Sequence, residues 1–235
     1  MSTPDMSESF AHWLLERKSL LPIAKRAQSA YILFHNRVHA DPDSLRTRKL
    51  LDRKTKVGEG TVVDPTAFIS PAGVRIGRNC RIGADAIILR RSIIEDDVEV
   101  GSGSVVGSQG YVLERKKQRI VVVKHTGGVR IGKGVRIGAN SCIDRATFRG
   151  RTEIGEHATV GSQVQIAHGV RTGAGCRIAN HAMIAGRVRI GDGSIIEQDS
   201  SISHLVEIGQ KAVIKEFAIV TKDVGDGQTV EGESR

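Results

Sequence analysis

From Ile154 onward an aliphatic residue recurs at every sixth position. The series Ile154, Val160, Ile166, Thr172, Ile178, Ile184 and onward to Val220 holds twelve positions, and eleven of them are Ile or Val. The same pattern runs from Ile76 to Val106 and from Ile131 to Ile143. The next residue is usually small, as in Gly155, Gly161, Ala167, Ala179, Ala185 and Gly191. A helix repeats every 3.6 residues and a half-buried strand every two, so neither produces a period of six. The pattern predicts a mainly β chain of hexapeptide repeats wound into a parallel β-helix. One aliphatic side chain per hexapeptide fills a narrow prism, and the small residue beside it is expected to let the chain turn a corner. Three hexapeptides then make an 18-residue coil, coils stack at ~4.8 Å, and Val57 to Val224 has room for roughly eight of them.

The repeat breaks in three places. Near Ile69–Ile76 and Ile143–Ile154 the breaks read as single-residue adjustments of phase. Residues 107–130, "GSQGYVLERKKQRIVVVKHTGGVR", read as an insertion looping out of the prism, of a length that in compact domains is usually functional or disordered. Ahead of the repeats, residues 1–55 hold four of the eight aromatic residues (Phe10, Trp13, Tyr31, Phe34) among helix formers such as "AKRAQSAYILF". They predict a short α-helical N-terminal region, with Pro22 separating two helices and Asp41 capping a third. Residues 56–224 are expected to be the β-helix domain, and 225–235, "GDGQTVEGESR", a frayed, flexible tail.

Composition narrows the function. Aromatic residues are 3% of the chain against 27 glycines, so the core is expected to be Ile, Val and Ala rather than rings. The N-terminus is polar without an apolar core segment, no run of 18 apolar residues is present, and Cys80, Cys142 and Cys176 form no CxxC pair. A reduced, cytoplasmic protein with no membrane span is the expectation. The net charge of +9 suits an acidic or phosphorylated partner. Arg115, Lys116, Lys117 and Arg119 are the densest basic run, able to contact such a partner or to serve only as a solvated loop. No aromatic stacking platform accompanies them, so nucleic acid is not expected. A zinc-dependent carbonic anhydrase of this architecture needs two histidines five residues apart, which the eight histidines here do not provide, and no metal is expected.

The stretch "VQIAHGV", Val164 to Val170, carries the candidate chemistry. His168 is third in its hexapeptide. Gly186 follows 18 residues later, one coil above, and His204 another 18 later, ~10 Å from the first. An imidazole beside a bare glycine backbone can act as a base next to an amide that holds a developing oxyanion. The same residue also fits a surface histidine on a β-helix, and at this point both readings stand.

"IGANSCIDRATF", "VGSQVQIAHGVRTG" and "IANHAMIAGRVRIG" resemble the UDP-3-O-acylglucosamine N-acyltransferases of lipid A biosynthesis, and "GSGSVVGSQGY" followed by a loop and "GVRIGKGV" resembles their coil-and-insertion pattern. The likeness covers roughly residues 57–224. It implies a left-handed β-helix, a cytoplasmic homotrimer with sites in clefts between subunits, and amide formation from an acyl thioester without a cofactor. By the same likeness His168 is the general base, Gly186 supplies the oxyanion amide, and Gln165, Asn180, His204 and Phe217 lie on the substrate side, Phe217 where the family limits acyl length. Arg115, Lys116, Lys117 and Arg119 would meet the donor, acyl carrier protein or a coenzyme A thioester. The acceptor would be the amine of a nucleotide-linked amino sugar.

The sequence departs from that pattern at the family's N-terminal uridine-binding domain and C-terminal helical extension, neither of which is recognisable. The family's second histidine falls on Leu205, next to His204, and its acidic-amide pair on Gly161-Ser162. Two other readings stay open: an N-acetyltransferase for an amino sugar of surface polysaccharide, with acetyl-coenzyme A as donor, and a non-catalytic hexapeptide scaffold.

Overall fold

The computed structural model describes residues 54–234 except Ala72, Lys117 and Gln118. The expected helical region, residues 1–55, lies outside the described residues up to position 53. From Lys56 the chain forms a left-handed parallel β-helix of two-residue strands, broken only by a few longer ones. Three parallel sheets make the three faces of the prism: eight strands from Lys56–Val57 to Glu207–Ile208, nine from Val62–Val63 to Thr229–Val230, and nine from Phe68–Ile69 to Glu233–Ser234.

In the regular part the pairing offset is the 18 residues that period six predicts. Gln165 pairs with Met183, which pairs with Ser201, and the inward partners Ile166, Ile184 and Ile202 stack on one column. All three are completely buried. Burying such a side chain stabilises the fold by about 1.5–3 kcal/mol, so a column repeated on three faces supplies a core without rings. Thr172, the one polar member of the series, also points inward, and its Oγ1 accepts the Gly155 N–H at 3.0 Å.

The corners correct one expectation. The small residue after each Ile does not make the turn. The turn is made two residues further on, in left-handed backbone, as at His157 (φ 57°), Gln163 (φ 56°), Gly169 (φ 71°) and Arg187 (φ 61°). Gly155 is small for another reason: a Cβ there would overlap the carbonyl of Gly173 in the next coil. Coils at strand spacing leave no room between stacked corners.

The phase breaks are also resolved by pairing. Val57 pairs with Ile76, so the first break is the single extra residue expected. At the second, Ile131 pairs with Ile154, 23 residues on, which makes it a five-residue insertion within 145–150 rather than a one-residue slip. The long insertion ends earlier than the sequence indicated, because Gly128–Ile131 is already a strand of the first face. Within it, Leu113–Lys116 and Arg119–Val122 form an antiparallel hairpin that belongs to a unit separate from the prism. The expected flexible tail instead continues the helix, with Thr229 paired to Val213 and Glu233 to Ile219.

All three breaks fall where the chain passes from the third face to the first. Interior packing requires an aliphatic column on each face but leaves the corners free to lengthen. The chain has lengthened only this one, called the third edge below.

Candidate active site on the third edge

His168 is on the third edge. It follows Gln165–Ile166 of the third face and precedes Arg171–Thr172 of the first. It is 8% exposed, and its ring lies over Gly186 of the coil above. A Cβ on Gly186 would stand 2.5 Å from His168 Nε2 and 2.6 Å from its Cε1, so the glycine is what admits the imidazole. The coils are tied around this contact by Arg187 N–H donating to the His168 carbonyl at 2.9 Å and Leu205 N–H to the Gly186 carbonyl at 3.1 Å.

At two other corners the N–H third in the hexapeptide is capped by a side chain 18 residues on: Ser162 N–H donates to Asn180 Oδ1 and Ala174 N–H to Asp192 Oδ1, each at 2.8 Å. The residue 18 beyond Gly186 is His204, and among the described residues nothing accepts from the Gly186 N–H. A buried amide donor without an acceptor costs about 1–3 kcal/mol, which an incoming oxyanion recovers.

Three histidines line the edge. The His204 ring is centred 6.0 Å from that of His168, and the His125 ring 5.2 Å from it on the other side. His125 is 3% exposed, with Nδ1 2.7 Å from Gln109 Nε2. Sequence reasoning missed it, because it sits at the end of the long insertion, outside the repeat phase. The only available signal was that a histidine lies in an insertion at all.

Burial pushes the His168 pKa down to about 4, and the charges of His125, Arg187 and His204 act in the same direction. His204 is also lowered, by burial first and then Arg187. His168 is therefore a neutral imidazole at pH 7, the form that can accept a proton. The shift predicts acid sensitivity. Between pH 6.5 and about 4 the unfolded chain takes up a proton that folded His168 refuses, so stability falls as pH falls through that window. The contribution lost is about 3 kcal/mol. Urea midpoints measured from pH 7 to 4 should fall more steeply in the native protein than in His168→Gln. Parallel profiles would contradict the buried, neutral assignment.

The "IDR" residues fasten the insertion's root. Ile143 is in the core. The Asp144 carboxylate accepts from Ser108 Oγ and, at 3.1 Å, from Gln165 Nε2. Burial raises the Asp144 pKa while these hydrogen bonds lower it. Arg145 Nε donates to the Gly107 carbonyl at 2.7 Å, and burial pushes its guanidinium down to about 10.

The other expected site residues divide. His204 joins His168, and Gln165 reaches the edge through Asp144. Asn180 and Phe217 lie on a different edge, between second and third faces, where Asn180 caps Ser162 and Phe217 is 66% exposed. Within one chain they do not meet His168. Arg115, Lys116 and Arg119 are in the hairpin, with Lys116 in register with Arg119, and Lys117 is outside the described residues. Among the described residues no group of three or more His, Cys, Asp or Glu is placed to hold a metal ion, and no helix is long and apolar enough to cross a membrane.

Two sequence families match this chain. The bacterial transferase hexapeptide (six repeats) covers residues 73–108, and the hexapeptide repeat of succinyl-transferase covers 128–145. They end on either side of the long insertion. The UDP-3-O-acylglucosamine N-acyltransferase of Caulobacter vibrioides is 39% identical over 102 residues, 43% of this chain and 30% of that protein. Its counterpart in Anaeromyxobacter dehalogenans is 35% identical over 124 residues, 50% of this chain and 34% of the relative. The chain is similar in sequence to the bacterial transferase hexapeptide repeats and to the UDP-3-O-acylglucosamine N-acyltransferases. The matches span about a third of the length of those relatives. Among solved structures, the UDP-N-acetylglucosamine acyltransferase of Campylobacter jejuni superposes with a TM-score of 0.68 at 27% identity, covering 76% of this chain and 68% of that one. The Bacteroides fragilis enzyme of the same name gives 0.58 at 26% identity, covering 69% and 68%. The chain thus shares its prism with solved acyltransferases.

Proposed function

We propose that this chain is an N-acyltransferase that moves an acyl group from a thioester to the amine of a nucleotide-linked amino sugar. The observation that carries the reading is the His168 ring lying over Gly186, beside an N–H that has no acceptor among the described residues. The acceptor's neutral amine attacks the thioester carbonyl, and His168 takes the proton that the nitrogen sheds. The Gly186 N–H donates to the oxyanion formed. Collapse breaks the C–S bond, leaves an amide, and the departing thiolate takes the proton from the imidazolium. No covalent enzyme intermediate is required.

The donor is an acyl carrier protein or coenzyme A thioester, and the acceptor is the UDP-linked amino sugar named in the sequence relatives. The molecule works as a cytoplasmic homotrimer. The third face supports this assembly: from Phe68 to Ile219 its outward positions are uncharged, with Phe68, Met183 and Ile219 about half exposed, while the first face carries Lys56, Arg75, Arg130, Arg171 and Arg189. An uncharged sheet face beside the reactive edge is suited to cover by another copy.

The test is amide formation by the purified protein with acyl carrier protein and coenzyme A thioesters, each offered to UDP- and dTDP-linked amino sugars. Turnover with one pair names donor and acceptor. A folded protein that turns over none of them would refute the reading and leave a non-catalytic scaffold.

A further inference from the structure

A general base is normally oriented by a third group, a hydrogen-bond partner on the ring nitrogen that does not react. His168 presents Nε2 to Gly186 and has no such partner: its Nδ1 is buried, and among the described residues nothing hydrogen-bonds to it. The backbone at this position is fixed. Its carbonyl accepts from the Arg187 N–H, and the following Gly169 N–H donates to Thr152 Oγ1 at 2.9 Å. These bonds do not set the rotation of the ring, so its neighbours must.

Two rings flank it. His204, centred 6.0 Å away, belongs to an exposed residue. His125, centred 5.2 Å away and inclined at 53°, is 3% exposed. That separation is contact range for two aromatic rings. His125 is anchored in its turn. Gln109 Nε2, which can only donate, lies 2.7 Å from its Nδ1. The next two residues are tied down as well, Thr126 N–H donating to the Thr147 carbonyl at 3.0 Å and Gly127 N–H to that of Ala146 at 2.9 Å. A Cβ on Gly110 would stand 3.0 Å from His125 Nε2, so glycine at that position leaves the ring its seat. Gln109 precedes the hairpin and His125 follows it, so their bond closes the insertion at its root.

Of the two flanking rings, the buried and anchored one is able to resist displacement. We propose that His125 is a positioning residue, whose ring is the wall that keeps the His168 imidazole over Gly186. Its part in acyl transfer rests on the acyltransferase reading; the placement of one ring by the other does not. Packing then does for this imidazole what a hydrogen bond on Nδ1 does elsewhere. The stake is large, because misplacing a reacting group by about 1 Å can cost roughly 10²-fold in rate.

The test joins steady-state kinetics of the full chain to an NMR reading of ring placement, the NOE between the His168 ring protons and the Gly186 N–H. His125→Ala should lose the NOE and lower kcat at least about 10-fold with KM unchanged. His125→Phe restores the ring without its anchor, and Gln109→Ala removes the anchor alone. Both should keep a weakened NOE and lose only about 3- to 10-fold in kcat. Gln109 is exposed, so its variant decides the matter if His125→Ala does not fold. The proposal falls if folded His125→Ala, or in its place Gln109→Ala, keeps the native kcat and NOE. It falls equally if kcat drops while the NOE stays, or if His125→Phe loses as much as His125→Ala, since a ring nitrogen and not the bulk of the ring would then act. Placement is read without turnover. A ring released by these changes in a protein that transfers no acyl group would keep the wall and sink the transferase, whereas transfer with the ring in place in every variant would sink only the wall.

Discussion

Changing His168 to alanine is expected to cut amide formation by about 10² to 10⁴-fold, the usual worth of a positioned general base. The loss should lie in kcat, because the imidazole acts on the proton that leaves during attack and not on the resting substrate. Folding should survive, since the side chain sits on the outer edge and not among Ile166, Ile184 and Ile202. A steady-state assay with the accepted donor and acceptor, together with a thermal melt, separates the two effects. Activity within a few-fold of native in a folded variant would remove His168 from the chemistry.

Gly186→Ala should be nearly as damaging, and for a steric reason. The glycine has no left-handed φ, so its backbone accepts alanine. The new methyl, however, would stand 2.5 Å from His168 Nε2, inside any real contact. The ring must leave the place where its nitrogen faces the amide, and the N–H loses its approach to the oxyanion. Loss of one such donor alone costs about 10² to 10³-fold in kcat. Adding His168→Ala to Gly186→Ala should then cost little more, because both changes dismantle one unit. The pH titration of the His168 ring, followed by NMR, gives an independent reading: the buried environment that pushes it to about 4 should be lost in Gly186→Ala. Unchanged kcat with an unchanged titration would show that the ring does not depend on the glycine.

The prism could be read along the chain because period six is a local property. Each coil needs an aliphatic residue on each face, so Ile154 to Val220 carry the fold in their spacing, and stacking at 18 residues places His168 next to Gly186 before any coordinate is known. The same rule read the phase break at Ile143–Ile154 as a one-residue slip. Spacing is blind to whole repeats inserted or omitted, so one residue too few and five too many look alike; pairing of Ile131 with Ile154 distinguishes them. The small residue after each Ile was visible, but its cause was not. It lies in the clearance between coils, as the overlap of Gly155 with Gly173 shows.

What lay beyond the sequence has one origin: contacts made by residues that do not follow the repeat. His125 reaches His168 from the end of an insertion whose path no periodicity specifies. Asp144 and Arg145 were visible as a motif, yet their work, holding Ser108 and Gly107 at the insertion's root, requires that the strands Val105–Ser108 and Cys142–Asp144 be paired, with Cys142 opposite Val105 across the whole insertion. Asn180 and Phe217 lie on a different edge from His168 because six residues of chain move a side chain to the next corner, while eighteen bring it back. That the Gly186 N–H has no acceptor among the described residues depends on what the next coil places beside it, which spacing alone does not give. Period and residue type thus specified the prism and the stacking of His168 on Gly186, since both follow from local spacing. Stacking of distant coils specified the charge, burial and hydrogen-bond environment of that stack, since those depend on which chain segments meet at one edge.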